Sequence, residues 1–144
     1  MLSGVSITPF KRIYHQKGDI YHAIKSSEKS FSSFGEAYFS TVNFSDVKGW
    51  KKHREMIMNL IVPVGSIKFV LFDDRPFSHT KGNYFDTVIC ESNYARLTVP
   101  PGVWMAFQGI RKEVNLLLNI ASIEHDPSEA VSVPLDEIPY NWKS

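Results

Sequence analysis

Val99-Pro100-Pro101-Gly102-Val103-Trp104-Met105-Ala106-Phe107 sets a rigid corner in front of an apolar, tryptophan-bearing run. Two successive prolines preset φ and remove two backbone donors, while Gly102 supplies conformational freedom, so the chain leaves one strand and turns sharply into the next. Such a corner suits a small β-barrel with a ligand-sized interior. Upstream, Ile57 to Val64 is an apolar run closed by Pro63 and Gly65. Ile67 to Phe72 is rich in β-branched and aromatic residues before the polar corner Asp73-Asp74-Arg75-Pro76. Tyr84 to Cys90, Ala95 to Val99, Val103 to Gln108 and Val114 to Ser122 continue the series. Turn signals stand between them at Lys81-Gly82-Asn83, Ser92-Asn93, the Pro-Pro-Gly corner and Gly109.

Short strands at this spacing predict an antiparallel sandwich or closed barrel. In the last run Val114, Leu116, Leu118 and Ile120 share one face by the period of two, and Asn115, Leu117 and Asn119 share the other. Its leucines also suit a helix, but the neighbouring strands favour a sheet.

The 144 residues predict one domain, 1–144, with 43% hydrophobic and 13% aromatic residues to fill its core. A formal net charge of +1 gives no global attraction to nucleic acid or to an anionic membrane, so selectivity has to reside in a local site. Met1 to Phe10 has no basic, long-apolar leader pattern, and no run approaches the roughly 18 apolar residues of a membrane span. A cytoplasmic protein is expected. One cysteine, Cys90, excludes an internal disulfide framework, and its neighbours Val88 and Ile89 place it in the core.

Gly35-Glu36-Ala37-Tyr38-Phe39-Ser40 leads through a polar bend into Val47-Lys48-Gly49-Trp50-Lys51-Lys52-His53-Arg54-Glu55-Met56. Lys48, Lys51, Lys52, His53 and Arg54 form a cationic patch suited to phosphate groups, with Trp50 as a stacking face. The alternative is a solvated strand whose lysines discourage edge pairing.

Together these segments resemble the dTDP-4-dehydrorhamnose 3,5-epimerase family, small cupins that act on nucleotide-linked 4-keto sugars. That family reads Arg-Gly-x-His on its catalytic strand, then an Asp-x-Arg corner, then Pro-Pro-Gly-x-x-His-Gly-Phe. Lys48-Gly49 with His53, Asp73-Asp74-Arg75 and Pro100-Pro101-Gly102-Val103-Trp104-Met105-Ala106-Phe107 stand here in the same order, and Lys17-Gly18 matches an N-terminal Arg-Gly pair. The resemblance implies an all-β cupin-type double-stranded β-helix, or jelly-roll barrel. It also implies a 3,5-epimerase-like or keto-sugar isomerase acting on a nucleotide-linked 4-keto-6-deoxy sugar in surface polysaccharide biosynthesis.

By the same resemblance a histidine removes a proton beside the sugar ketone and a tyrosine on the opposite face returns one, while cationic or hydrogen-bonding groups stabilise the enolate oxygen. His53 takes the role of base, an imidazole being the side chain that titrates near neutral pH. Lys17 and Lys48 would meet the diphosphate. Trp104 and Phe107 would line the barrel, and Arg75 either touches substrate or pairs with Asp73. The departures fall on the chemistry. The interval from Gly49 to His53 is longer than in the family, Met105 replaces a histidine, Met58 replaces a lysine, and Leu118-Asn119 stands in place of a Tyr-Lys pair. Tyr38 or Tyr84 is therefore the expected acid. The chain ends before the family's histidine-orienting aspartate, leaving Asp73, Asp86 or Glu55 as substitutes.

His15, His22, His53, His79 and His125 are scattered singly, with no His-x-His pair, so no metal and no cofactor are expected. Gly-x-Ser-x-Gly, Walker and dinucleotide-binding glycine patterns are absent. The expected partners are a nucleotide-linked sugar and a second copy of the chain, paired through sheet edges, with no nucleic acid and no membrane. The competing expectation is a catalytically silent cupin that binds a nucleotide sugar or a partner protein.

Overall fold

The computed structural model describes Met1 to Lys143; Ser144, the last residue of the expected domain, lies outside the described residues. In chain order the strands are β1 (Ser6–Pro9), β2 (Arg12–Ile13), β3 (Ile20–Tyr21), β4 (Glu36–Thr41), β5 (Val47–His53) and β6 (Met58–Val64). They continue as β7 (Ser66–Asp73), β8 (Tyr84–Cys90), β9 (Ala95–Val99), β10 (Val103–Gly109), β11 (Leu116–Ala121) and β12 (Ala130–Ser132). Two five-stranded antiparallel sheets result, ordered β1-β9-β6-β11-β4 and β12-β5-β10-β7-β8, with β2 and β3 as a separate hairpin. This is the jelly-roll barrel of the cupins.

Consecutive strands repeatedly change sheets, and the punctuation read in the sequence marks two of these crossings. Gly65, at φ +93°, carries the chain from β6 to β7; a Cβ there would lie 2.2 Å from the Val114 carbonyl oxygen, so only glycine fits. Pro100-Pro101-Gly102 carries it from β9 to β10, and the Gly102 N–H donates to the His53 carbonyl at 2.8 Å. The opening corner is thereby fastened to the backbone of the expected base.

Between the sheets lies the main core, including Met58, Leu60, Val62, Ile67, Phe69, Leu71, Leu97, Val99, Val103, Met105 and Leu117. A second apolar cluster, Trp50, Val70, Trp104, Ala106 and Ile138, lies on the outer face of the second sheet under Val133, Tyr140 and Trp142 of the C-terminal segment. The Trp50 indole donates to the Leu135 carbonyl at 3.1 Å. On the outer face of the first sheet Arg96 is 0% exposed. It donates to Glu28 at 2.8 Å and to the Ala23 carbonyl at 2.7 Å, tying the preceding loop across the sheet. A buried guanidinium is tolerable only with such partners.

Cys90 departs from expectation. It is half-buried at the end of β8 rather than in the core, and its Sγ lies 3.2 Å from Ser92 Oγ. The strand ends there, so the apolar neighbours on one side do not enclose it.

Candidate active site

Strand β5 builds one wall of a cavity between the sheets, and it does so through an irregularity. Lys51 pairs with Met105 and Lys48 with Phe107, so the three steps from Lys48 to Lys51 face two steps of β10. This β-bulge at Gly49 resets the alternation. Residues three apart normally point to opposite faces of a strand, yet Lys48, Lys51 and His53 all line the cavity. On the outer face of the sheet, a Cβ at Gly49 would meet Leu135 Cδ1 at 2.5 Å, so the glycine leaves room for the C-terminal segment there.

The opposite wall comes from the first sheet: Tyr38 and Ser40 of β4, Met58 and Leu60 of β6, and Leu117 and Asn119 of β11. The enclosed volume is about 230 Å³. Pockets that enclose whole drug-sized ligands measure roughly 300–1,000 Å³, so this one suits a single ring with the rest of a larger ligand left at the mouth.

His53 is 6% exposed and meets Glu129, also 6% exposed, through Nδ1. Asp126 caps the short turn Pro127–Glu129 by accepting from the Ser128 N–H at 3.0 Å. Ala130 then pairs with His53 across β12 and β5, which delivers the preceding carboxylate to the ring. The other carboxylate oxygen of Glu129 accepts from the backbone N–H groups of Arg54, Glu55 and Met56 at 3.2, 3.2 and 3.3 Å. Burial pushes this carboxyl up, but the hydrogen bonds from His53 and the backbone outweigh it and hold Glu129 below the usual glutamate range. An ionised Glu129 accepts the hydrogen bond of Nδ1–H, which fixes the tautomer and leaves Nε2 as the ring's free acceptor.

Sequence reasoning named Asp73, Asp86 and Glu55 for this orienting role, and the structure corrects that to Glu129. Asp73 is committed elsewhere, accepting from Arg75 at 2.8 and 2.9 Å, Ser78 at 2.5 Å and Thr80 at 2.6 Å. Asp86 accepts from the Tyr140 hydroxyl at 3.0 Å, and Glu55 offers the orienting carboxylate only its backbone N–H. A signal for Glu129 was present in Asp126-Pro127-Ser128-Glu129, a capping residue before proline at a first helical position.

The other expected site residues divide. Lys48 and Phe107 line the cavity, Lys48 Nζ lying 3.3 Å from Ser40 Oγ, and Tyr38 lines it from the facing sheet. Tyr84 is on the outer side of β8, stacked with Phe72 and Tyr140, and its hydroxyl donates to the Pro139 carbonyl at 2.6 Å. Trp104 also faces outward, its indole donating to Asp74 at 2.8 Å, because it is an odd number of residues from the inward Phe107 on an unbroken strand. Trp50 and Lys52 are likewise outward: Trp50 is 0% exposed, and Lys52 pairs with Asp74 at 3.3 Å. Lys17 sits exposed in the turn of the β2–β3 hairpin and is not part of the cavity wall. Arg75 is the salt-bridge partner of Asp73.

Among the described residues no three His, Cys, Asp or Glu side chains gather as a metal site. None of the described helices is long and apolar enough to cross a membrane.

The fold is a cupin jelly roll whose two sheets bring a buried histidine–carboxylate pair and a facing tyrosine to one cavity. A dTDP sugar isomerase from Desulfovibrio desulfuricans G20 has the same fold with a TM-score of 0.94 and 34% identity, over 98% of this chain and 92% of that one. A probable low-salt glycan biosynthesis epimerase of Haloferax volcanii is 29% identical over 128 residues, 88% of this chain and 80% of that protein. A sugar 3,4-ketoisomerase from Thermoanaerobacterium thermosaccharolyticum, solved with TDP, shares the fold at a TM-score of 0.75 and 22% identity, over 91% of this chain and 89% of that one. No protein-family model matches the chain. The chain belongs to the dTDP-4-dehydrorhamnose 3,5-epimerase-like family of cupins, together with the Desulfovibrio dTDP sugar isomerase.

Proposed function

We propose that the protein isomerises a nucleotide-linked 4-keto-6-deoxy sugar, by epimerisation or by the related migration of the ketone, to make a sugar for surface polysaccharide. The observation that carries this reading is the placement of His53 and Tyr38 on opposing sheets around one cavity. A ring held between them loses a proton from one face and regains one on the other, which is the stereochemical requirement for inversion.

In the first step the C–H bond beside the ketone breaks. The proton passes to His53 Nε2, and the electron pair delocalises onto the ketone oxygen as an enolate. Glu129 stabilises the imidazolium so formed, and Lys51, on the same inward face as His53, supplies positive charge toward the enolate. In the second step the enolate carbon takes a proton from the Tyr38 hydroxyl on the opposite face, and solvent restores both groups. Lys48, at the cavity wall beside Ser40, meets the diphosphate. The Desulfovibrio relative supports the dTDP-sugar class, and the Haloferax relative supports glycan synthesis. A cytoplasmic location accords with a nucleotide-sugar substrate. A homodimer is proposed from the open edge of β4, a six-residue strand with Phe39 65% exposed, and light scattering tests it.

The test uses purified protein, dTDP-linked 4-keto-6-deoxyglucose and deuterated water, with NMR locating the label. Deuterium is expected at a carbon adjacent to the ketone, and His53→Ala is expected to abolish it while dTDP still binds. Absence of label with this sugar and with its other nucleotide-linked counterparts overturns the proposal in favour of a silent binding protein.

A further inference from the structure

Asn119 is 1% exposed, yet it lies on the cavity wall directly opposite Tyr38 in the β4–β11 register. Its Nδ2 lies 3.1 Å from the Tyr38 hydroxyl oxygen and 4.0 Å from Met56 Sδ. A thioether sulfur accepts and does not donate, so both contacts agree with the amide nitrogen, rather than the oxygen, on this side. Nδ2–H therefore donates to the Tyr38 oxygen. With that lone pair engaged, the Tyr38 hydroxyl keeps its own proton free, and it has no acceptor among the described residues. The remaining atom of the amide, Oδ1, is buried without a hydrogen-bond partner.

A buried acceptor left unpaired destabilises a fold by about 1–3 kcal/mol, whereas an aliphatic residue of similar size at the same inward position would carry no such cost. Leu117, the neighbour on the same face of β11, shows what packing alone would place there. An asparagine kept at a net cost to stability is accounted for by what its nitrogen does.

We infer that Asn119 is a positioning residue that orients the Tyr38 hydroxyl so that its proton points into the cavity. The inference rests on the proposed reaction and assigns Asn119 to its second half alone. His53 and Glu129 carry out proton removal, and the Tyr38–Asn119 pair governs delivery on the other face. When delivery falters, the enolate is quenched from the His53 side, so label enters the sugar without inversion.

The experiment compares, in deuterated water with the same dTDP-linked keto sugar, the rate of deuterium entry with the rate of product formation for native protein, Asn119→Leu, Tyr38→Phe and the double variant. Asn119→Leu is expected to leave deuterium entry unchanged and to slow product formation about three- to tenfold, the loss of one ordinary hydrogen bond. Its melting temperature should be no lower than that of the native protein. In the Tyr38→Phe background the same substitution should change nothing further. If native protein partitions label and product as Asn119→Leu does, or if Asn119→Leu slows both equally and melts earlier, Asn119 is a structural core residue and the inference is overturned. A native protein that incorporates no deuterium overturns the proposed reaction itself, a distinct outcome.

Discussion

Replacing Glu129 with glutamine tests the histidine–carboxylate pair at its weakest point, because the side chain keeps its shape while losing its charge. In the native structure one oxygen meets His53 Nδ1 and the other collects three backbone N–H groups. The amide of Glu129→Gln retains a single acceptor oxygen and brings two new donors. Either the ring or the backbone cluster then faces an N–H where it faced an oxygen. The imidazolium formed during proton removal also loses its counter-charge.

Hydrogen bonds to charged groups contribute about 1.5–3 kcal/mol. At 1.36 kcal/mol for each tenfold in rate, deuterium entry at the sugar should slow by roughly ten- to a hundred-and-fiftyfold. The unsatisfied buried donor should lower stability by about 1–3 kcal/mol. The same substitution alters acid stability. Glu129 is held below its ordinary range in the folded state, so its contribution is fully present above the unfolded value near pH ~4 and is lost as pH falls through the folded value. Thermal melts between neutral pH and about pH 3 should therefore fall more steeply for native protein than for Glu129→Gln. Deuterium entry within twofold of native, with an unchanged acid slope, would refute the role given to the pair.

Asp73→Asn should cost about 3 kcal/mol, because it leaves the Arg75 guanidinium beside a buried neutral group. With roughly 2–4 °C per kcal/mol for a protein of this size, the melting temperature should drop by roughly 6–12 °C in calorimetry. The Arg75, Ser78 and Thr80 bonds outweigh burial and hold Asp73 well below the usual carboxylate range, so this loss too should shrink as pH falls through that folded value. Tyr84→Phe should leave deuterium entry and product formation at native rates, since its hydroxyl serves the Pro139 carbonyl outside the cavity. A marked loss of turnover would place the acid on the wrong strand.

Much of the barrel was legible because its strands are bounded by residues with strong local rules. Tyr84–Cys90 and Ala95–Val99 coincide with observed strands, and four neighbouring runs differ by only a residue or two at an end. The Pro-Pro-Gly and Gly65 breaks are true crossings between sheets. Strands β1 and β12 were not legible, since each is short and partly solvated and is fixed by its partner rather than by its own pattern. In the site, the place of His53 on the cavity wall was readable from residue type and order. The inward grouping of Lys48 with Lys51 was not, because a bulge depends on how β5 meets β10. The outward side of Trp104 follows from its parity on β10, which the period of two supplies and its ring chemistry does not. Glu129 escaped because the contact spans 76 positions and joins the ring through a strand too short to be seen in advance.

His53, the proposed base, is also clamped by its own backbone. His53 pairs with Ala130 on one flank and accepts the Gly102 N–H on the other, while its ring is held by Glu129. A group gripped in this way cannot travel toward a poorly seated sugar, so the sugar has to be brought to it. In the proposed reaction, substrate preference is then set where the ligand is steered, along the lysine side of β5 and the facing tyrosine. On the proposed reaction, redesign for a different nucleotide sugar can accordingly be confined to that rim, leaving His53 and Glu129 as a fixed cassette.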